Sequence, residues 1–427
     1  MKNPKISFWI AIIININVVI GGGFFLGAQH ISVACGLYAP LVWLACGILL
    51  FPLVIILTRF AKRYPEAGGL YVYSQKLLGA KWGLLSGWGY FIGNIAGNAV
   101  LIHAFATYLQ KSSLKPVLAT CSLLDVKFDI LLVLFFTLLT LLNVQFFAKA
   151  QILFTVLKFI PIAALVIGAI TLFNGQHFAT TQLLHVDGLF DAIPMVLFAY
   201  IGFEACCSVV DQIKDHKNGH RAIFLSFIVI VLTYTLLQLL VFCIYGSADV
   251  NPFLNVLARL TSNACIVTWG NTLIYCAILS SFLGGFYGTF YCNNWNLFAI
   301  AQDKKFVGSS FLIKQNKNGI PWVCVLIQTS IVLAFLITSQ SMHHLVTMND
   351  FGVIIAYILS SIAFLILFKK SIAAFLSLGA CLIFLLIATK SLYDVGVHHL
   401  IPFLLLIGIG MLGYVLRAYQ SKKITGK

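Results

Sequence analysis

The chain has 427 residues, of which 61% are hydrophobic and 9% charged, with a mean hydropathy of +1.00. Soluble domains carry about 25% charged residues, so this composition excludes a soluble globular protein and points to a polytopic membrane protein. The formal net charge of +15 would suit a nucleic acid, but its distribution along the chain argues against that partner.

Read in order, the chain contains about twelve apolar runs of spanning length: residues 8–28, 37–58, 83–109, 129–147, 150–173, 189–210, 222–246, 270–300, 321–339, 345–368, 371–389 and 399–417. The expected class is therefore an all-α integral membrane protein. The first run follows Lys2 and Lys5, as a signal peptide would, but it exceeds an h-region in length and another span follows at once. It is read as retained. Alternate loops and the termini, taken as the inner face, hold about 21 of the 27 Lys and Arg residues, and the opposite loops about five. Both termini are thereby expected in the cytoplasm of an inner-membrane protein, with attraction to anionic inner-leaflet lipid as a secondary effect. Most of the 11 cysteines fall within spans and form no CxxC or CxxH pair, so no metal, cofactor or disulfide framework is expected.

Two spans are interrupted. Ile20-Gly21-Gly22-Gly23-Phe24-Phe25 lies in the first, and Tyr200-Ile201-Gly202-Phe203-Glu204 in the sixth. A membrane helix must satisfy its own backbone, and consecutive glycines weaken that arrangement. Breaks in corresponding spans of two halves mark midplane binding sites in transporters. The Ile20-Gly21 and Ile201-Gly202 echo, with five spans per half, predicts an inverted repeat: 1–173 (helices 1–5), 174–368 (helices 6–10), then 369–427 (helices 11–12 and a tail).

The amides of Gly21, Gly22 and Gly23 near a helix end suit a carboxylate, the other reading being close packing through small residues. The carbonyls of Phe198, Ala199, Tyr200 and Ile201 suit an ammonium, with Phe198 or Tyr200 as an aromatic lid. Glu204, costly in lipid, is a candidate for proton binding or gating, or for a helix-linking hydrogen bond. Lys158 lies about 13 Å into the fifth span, rather deep for snorkelling. It is read as a proton-exchanging group or a permanent cation in an ion site. Asn94 and Asn98 share a face of the third span; one is expected to meet substrate, unless they link helices. Asn293-Asn294 is a weaker pathway candidate, and the pairs His343-His344 and His398-His399 are given no role.

These stretches carry a resemblance. Ile20–Phe25, Tyr64–Gly79, Ile92–Ala96, Val156–Ile162 and Phe198–Asn218 together resemble the amino acid–polyamine–organocation transporter superfamily, most closely its basic amino acid/polyamine antiporter branch of the arginine–agmatine exchanger type. The resemblance implies a LeuT-type five-plus-five inverted repeat with broken helices 1 and 6. It implies that backbone from Ile20 to Gly23 takes the substrate carboxylate, and backbone at Phe198, Ala199 and Ile201 the amino group. Phe198 matches the aromatic gate, Glu204 the sixth-helix glutamate, Asn94 the third-helix asparagine, and Lys158 the fifth-helix lysine of sodium-independent members. The eighth-helix aromatic falls at Phe286 or, by another alignment, at Thr289. Three departures bear on specificity: Gly22 replaces a serine, Phe198 replaces a tryptophan, and Glu204 is the one intramembrane acid noticed. A neutral amino acid fits at least as well as arginine.

The expected function is an amino acid transporter, antiporting or proton-coupled, working by alternating access, with a proton or counter-substrate as its second partner and a homodimer as one assembly. The alternative is a cationic amino acid or polyamine exchanger. A membrane enzyme would need a clustered nucleophile, base or metal set, which the sequence does not provide; a nutrient sensor or channel on the same fold is the other class.

Overall fold

A computed structural model describes residues 6–111, 128–178, 186–214, 216–248, 251–304, 307–338, 341–396 and 400–425. His398, His399 and the first five residues lie outside it. Among the described residues the fold is helical, with one isolated bridge between Ile6 and Ile213. The helices are α1 (Phe8–Val19), α2 (Gly23–Cys35), α3 (Ala39–Arg63), α4 (Leu70–Leu78), α5 (Ala80–Lys111), α6 (Phe128–Thr140), α7 (Val144–Thr171) and α8 (Val186–Tyr200). They continue as α9 (His216–Tyr245), α10 (Val256–Leu260), α11 (Ala264–Gln302), α12 (Ser309–Leu312), α13 (Trp322–Thr338), α14 (Met342–Leu367), α15 (Ile372–Val395) and α16 (Ile401–Thr425).

Each of the twelve apolar runs becomes a helix or a broken pair. Nine described segments are long and apolar enough to cross a membrane, and α1, α6 and α13 are shorter apolar helices. Helix starts follow ordinary capping chemistry: Asn143 accepts from the Phe146 amide at 2.9 Å, and Asn263 from the amides of Cys265 and Ile266. Large apolar side chains such as Ile48, Leu232 and Trp269 point outward, while Asn15, Asn17, Gln151 and Gln238 are fully buried inside. That inside-out distribution suits a hydrocarbon surround, where polar groups must be satisfied by the protein itself.

Between α3 and α5 the chain forms the short helix α4, entered through Gly68 and Gly69 at φ +101° and +43°. Beyond its break the sixth span continues as a 3-10 helix, Ala205–Gln212, rather than an α-helix. Both ends of the described chain lie at one end of the bundle. The Ile6 amide donates to Gln212 O at 2.9 Å, and Arg417 Nε to Lys304 O at 3.3 Å.

Candidate substrate site

The first break lies between Val19 and Gly23. A helix that stops exposes its last four carbonyls, and the one that starts exposes its first four amides. Here three of those four carbonyls, and the next two along the chain, are bound by protein donors. Ile16 O accepts the Ile20 amide at 2.8 Å and Asn17 O accepts Lys158 Nζ at 2.5 Å. Val19 O accepts the Tyr234 hydroxyl at 2.6 Å, and Ile20 O and Gly21 O share the Ser281 hydroxyl at 3.1 and 2.8 Å. The amides of the next helix are left otherwise. Its N-cap is Gly22, which has no side chain to cap them. This break therefore offers donors at the positive end of a helix dipole, a setting for an anion.

The three glycines divide the two readings between them. A Cβ on Gly21 would stand 3.0 Å from the Gly285 Cα, and one on Gly23 only 2.4 Å from the Ala199 Cα, so both serve close backbone packing. Gly22 and Gly23 also face a cavity.

The second break follows Tyr200. Gly202 adopts φ +112°, a conformation glycine tolerates without strain. Its amide turns to Glu204 Oε2 at 3.2 Å instead of to the Phe198 carbonyl, the acceptor an uninterrupted helix would use. The Phe198 carbonyl is thereby released. The Ala199 carbonyl is not, since it shares the Tyr234 hydroxyl, at 3.1 Å, with Val19. One tyrosine thus ties the two breaks together.

Between them lies a cavity of about 30 Å³, room for one or two waters. Five of the expected residues line it: Gly22, Gly23, Asn94, Phe198 and Ile201. Ile20, Gly21 and Ala199 do not; their carbonyls are held by Ser281 and Tyr234. The eighth-helix position moves from Phe286 to Thr289, the other alignment. Phe286 is fully buried among Phe136 and Phe290, while Thr289 lines the cavity. Asn94 donates to Tyr90 O at 2.9 Å. Asn98 instead accepts from the Thr289 hydroxyl behind the wall.

Val18, Val19, Gly97, Leu101 and Asn349 complete the lining and were not anticipated. Gly93 and Gly97, spaced by four, carried a usable signal. They admit α14, whose Asn349 and Gly352 lie against them. The volume is too small for an amino acid, so occupancy requires the walls to part.

Three buried ionisable groups surround the cavity without lining it. Glu204 is fully buried beside the Tyr90 and Tyr357 hydroxyls, and its Oε1 has no partner of ordinary hydrogen-bond geometry. Lys158, 2% exposed, does not snorkel; it neutralises the negative end of α1 through Asn17 O. Asn17 bonds Gln151 in turn, and Gln151 donates to Gly284 O at 3.3 Å. The third was not among the residues expected from the sequence. Asp350 is fully buried in α14, its Oδ1 accepting from Asn349 at 3.5 Å and its Oδ2 unpartnered. The signal was available, since Asn349-Asp350 sits in the tenth apolar run.

Toward the end bearing the termini lie two larger recesses of about 330 and 350 Å³, which share Asp211, Trp295, Phe298 and Gln302. Beside them the Tyr71 hydroxyl donates to Asp303, joining α4 to the end of α11. Desolvation and that carboxylate push the tyrosine above its ordinary range, so the hydroxyl stays protonated and the link persists. Asn293 and Asn294, the weaker pathway candidates, line neither the cavity nor the recesses; Asn293 instead donates to Phe91 O at 3.0 Å.

The chain is similar in sequence to known amino acid transporters. The serine/threonine exchanger SteT of Bacillus subtilis (strain 168) is 25% identical over 377 residues, covering 86% of this chain and 84% of its own. A putative amino-acid transporter of Clostridium perfringens (strain 13 / Type A) is 26% identical over 75% of this chain and 70% of its own. An arginine/ornithine antiporter of Lactococcus lactis subsp. cremoris (strain MG1363) is 26% identical over 66% of this chain and 63% of its own. The amino acid permease family model matches residues 6–389, and with two broken helices meeting at a small buried cavity inside a multi-span bundle, the chain belongs to the amino acid permease family.

Proposed function

We propose that this amino acid transporter exchanges small neutral amino acids across the cytoplasmic membrane by alternating access, without sodium and with both termini in the cytoplasm. The observation that carries this reading is the cavity lining, which contains no charged side chain. It sets uncapped α2 amides opposite the released Phe198 carbonyl. Amides at a helix N-terminus suit a carboxylate, and a carbonyl released from its helix suits an ammonium. Asn94, Thr289 and Asn349 then form a polar end for a short side chain such as a hydroxymethyl. The likeness to a serine/threonine exchanger supports the same substrate class.

Sodium independence is supported by Lys158, whose buried ammonium already supplies a cation at the end of α1. Glu204, sequestered beside the second break, is assigned to proton-sensitive gating rather than to substrate contact. The inner Lys and Arg bias sets the orientation, and the repeat boundaries 1–173 and 174–368 place one break at the start of each half.

A second reading, exchange of cationic amino acids, is favoured by Asp350 behind Asn349 and by the likeness to an arginine/ornithine antiporter. Proteoliposomes loaded with unlabelled serine and assayed for entry of labelled serine separate the two. The neutral-exchange reading expects uptake that requires the internal load, persists without sodium, and yields to threonine or alanine but not to arginine or agmatine. Equal competition by arginine would move the assignment to the cationic class. Uptake indifferent to the internal load would remove exchange.

A further inference from the structure

A recess of about 540 Å³ lies apart from the cavity between the breaks and shares none of its lining residues. It opens on the outer surface of the bundle and is lined by Ile48, Phe51 and Pro52 of α3, Ile228 and Leu232 of α9, and Leu376 of α15. Ile48, Leu232 and Leu376 are each more than half exposed, so the groove faces hydrocarbon. Its shape has local causes. A Cβ on Gly47 would stand 2.8 Å from Val231, marking where α3 and α9 touch, and Pro52, inside α3, withdraws a backbone donor there.

The same two helices carry a charge pattern that continues the groove. On α3, Ile48, Pro52, Ile55 and Arg59 recur at spacings of four, three and four, and form one face. On α9, Arg221, Leu225, Ile228 and Leu232 repeat that spacing in the opposite chain direction. Pro52 to Arg59 and Arg221 to Ile228 are each seven residues, so both arginines are set about 10 Å along their helices from the groove, on the same side. A monolayer of hydrocarbon is about 15 Å deep, which puts these arginines at headgroup level when the groove lies among acyl chains. Both are exposed, and neither forms a salt bridge among the described residues. The exposed pair Lys369 and Lys370, just before α15, approaches the same end. Arg59 also lies 6.0 Å from the Phe364 ring, which holds it against the bundle.

We propose that this surface is a binding site for one anionic phospholipid, with an acyl chain in the groove and its phosphate held by Arg59 and Arg221. Paired guanidinium forks match phosphate oxygens geometrically, which a lone lysine does not. The apolar groove supplies affinity for any acyl chain; the two arginines supply the preference for charge.

The test uses the full chain in detergent, titrated with phosphatidylglycerol or phosphatidylcholine of identical chains and read by native mass spectrometry. The unaltered protein is expected to retain one phosphatidylglycerol with about a 25-fold preference, roughly five-fold per arginine. Arg59→Gln with Arg221→Gln should bring the preference to about unity while leaving an adduct of either lipid, and each single variant should fall between. Leu232→Trp, at an outward-facing position, fills the groove and should lose both adducts. Lys149→Gln with Lys314→Gln, removing charge elsewhere at the same end, should change nothing. The site is overturned by equal binding of the two lipids to the unaltered protein, by an equal loss in the lysine control, or by an adduct that survives Leu232→Trp.

Discussion

The two helix breaks meet at one cavity yet are finished in opposite ways. At the first, every carbonyl named above is bound by a protein donor, among them the ammonium of Lys158 and the hydroxyls of Tyr234 and Ser281. What it presents to a ligand is amide N–H. At the second, the diverted Gly202 amide leaves the Phe198 carbonyl without its helical partner, and Glu204 is held back from the cavity. What it presents is an acceptor. A zwitterion has one end for each, so the chemistry resides in which half of each break the protein leaves unfinished.

The largest expected effect comes from forcing the breaks apart. Gly23→Ala would set a methyl 2.4 Å from the Ala199 Cα. With overpacking costing up to about 3 kcal/mol, labelled amino acid uptake should fall roughly 100-fold; uptake near the unaltered level would mean that the breaks do not need this contact. Next is Lys158→Met, which strands the Asn17 carbonyl at the negative end of α1. A hydrogen bond to a charged group contributes about 1.5–3 kcal/mol, and a comparable loss should appear as a lower melting temperature in detergent. If stability is unchanged, the first break is not held by that cation.

Tyr234→Phe tests whether one hydroxyl serves both breaks. Removing it leaves the Val19 and Ala199 carbonyls to compete for no donor, at a cost of about 1–3 kcal/mol. Melting temperature and uptake should drop together, since the tyrosine touches both sides; a loss of stability with normal uptake would confine it to a structural role. The smallest effect is expected from Glu204→Gln, which keeps the acceptor for the Gly202 amide and should alter folding by less than about 1 kcal/mol. Its consequence lies in the pH profile: the pH dependence of uptake in the unaltered protein should be lost in the variant. Parallel profiles would remove Glu204 from gating.

Much of the candidate site was legible because the membrane makes a broken helix expensive, and so makes Gly21–Gly23 and Gly202 conspicuous. Asn94 and Lys158 stood out because amides and charges are few in apolar spans, and Phe198 because it shortly precedes the second break. The eighth-helix position stayed open between Phe286 and Thr289 because helix position alone does not fix rotation; Thr289 is the one that lines the cavity. Asp350 was overlooked because it borders no glycine break, although its run was identified as a span.

The sequence alone determined that the chain spans a membrane many times, where it is interrupted, and which face its basic residues favour. Those properties depend on local composition and on the cost of unpaired backbone in hydrocarbon. Only the tertiary structure decided which freed carbonyls are consumed, that Tyr234 spans both breaks, and that α14 delivers Asn349 to the cavity with Asp350 behind it. Those outcomes depend on groups far apart in the chain, such as Tyr234 and Val19, arriving at the same few ångströms, and short-range pattern carries no record of such meetings.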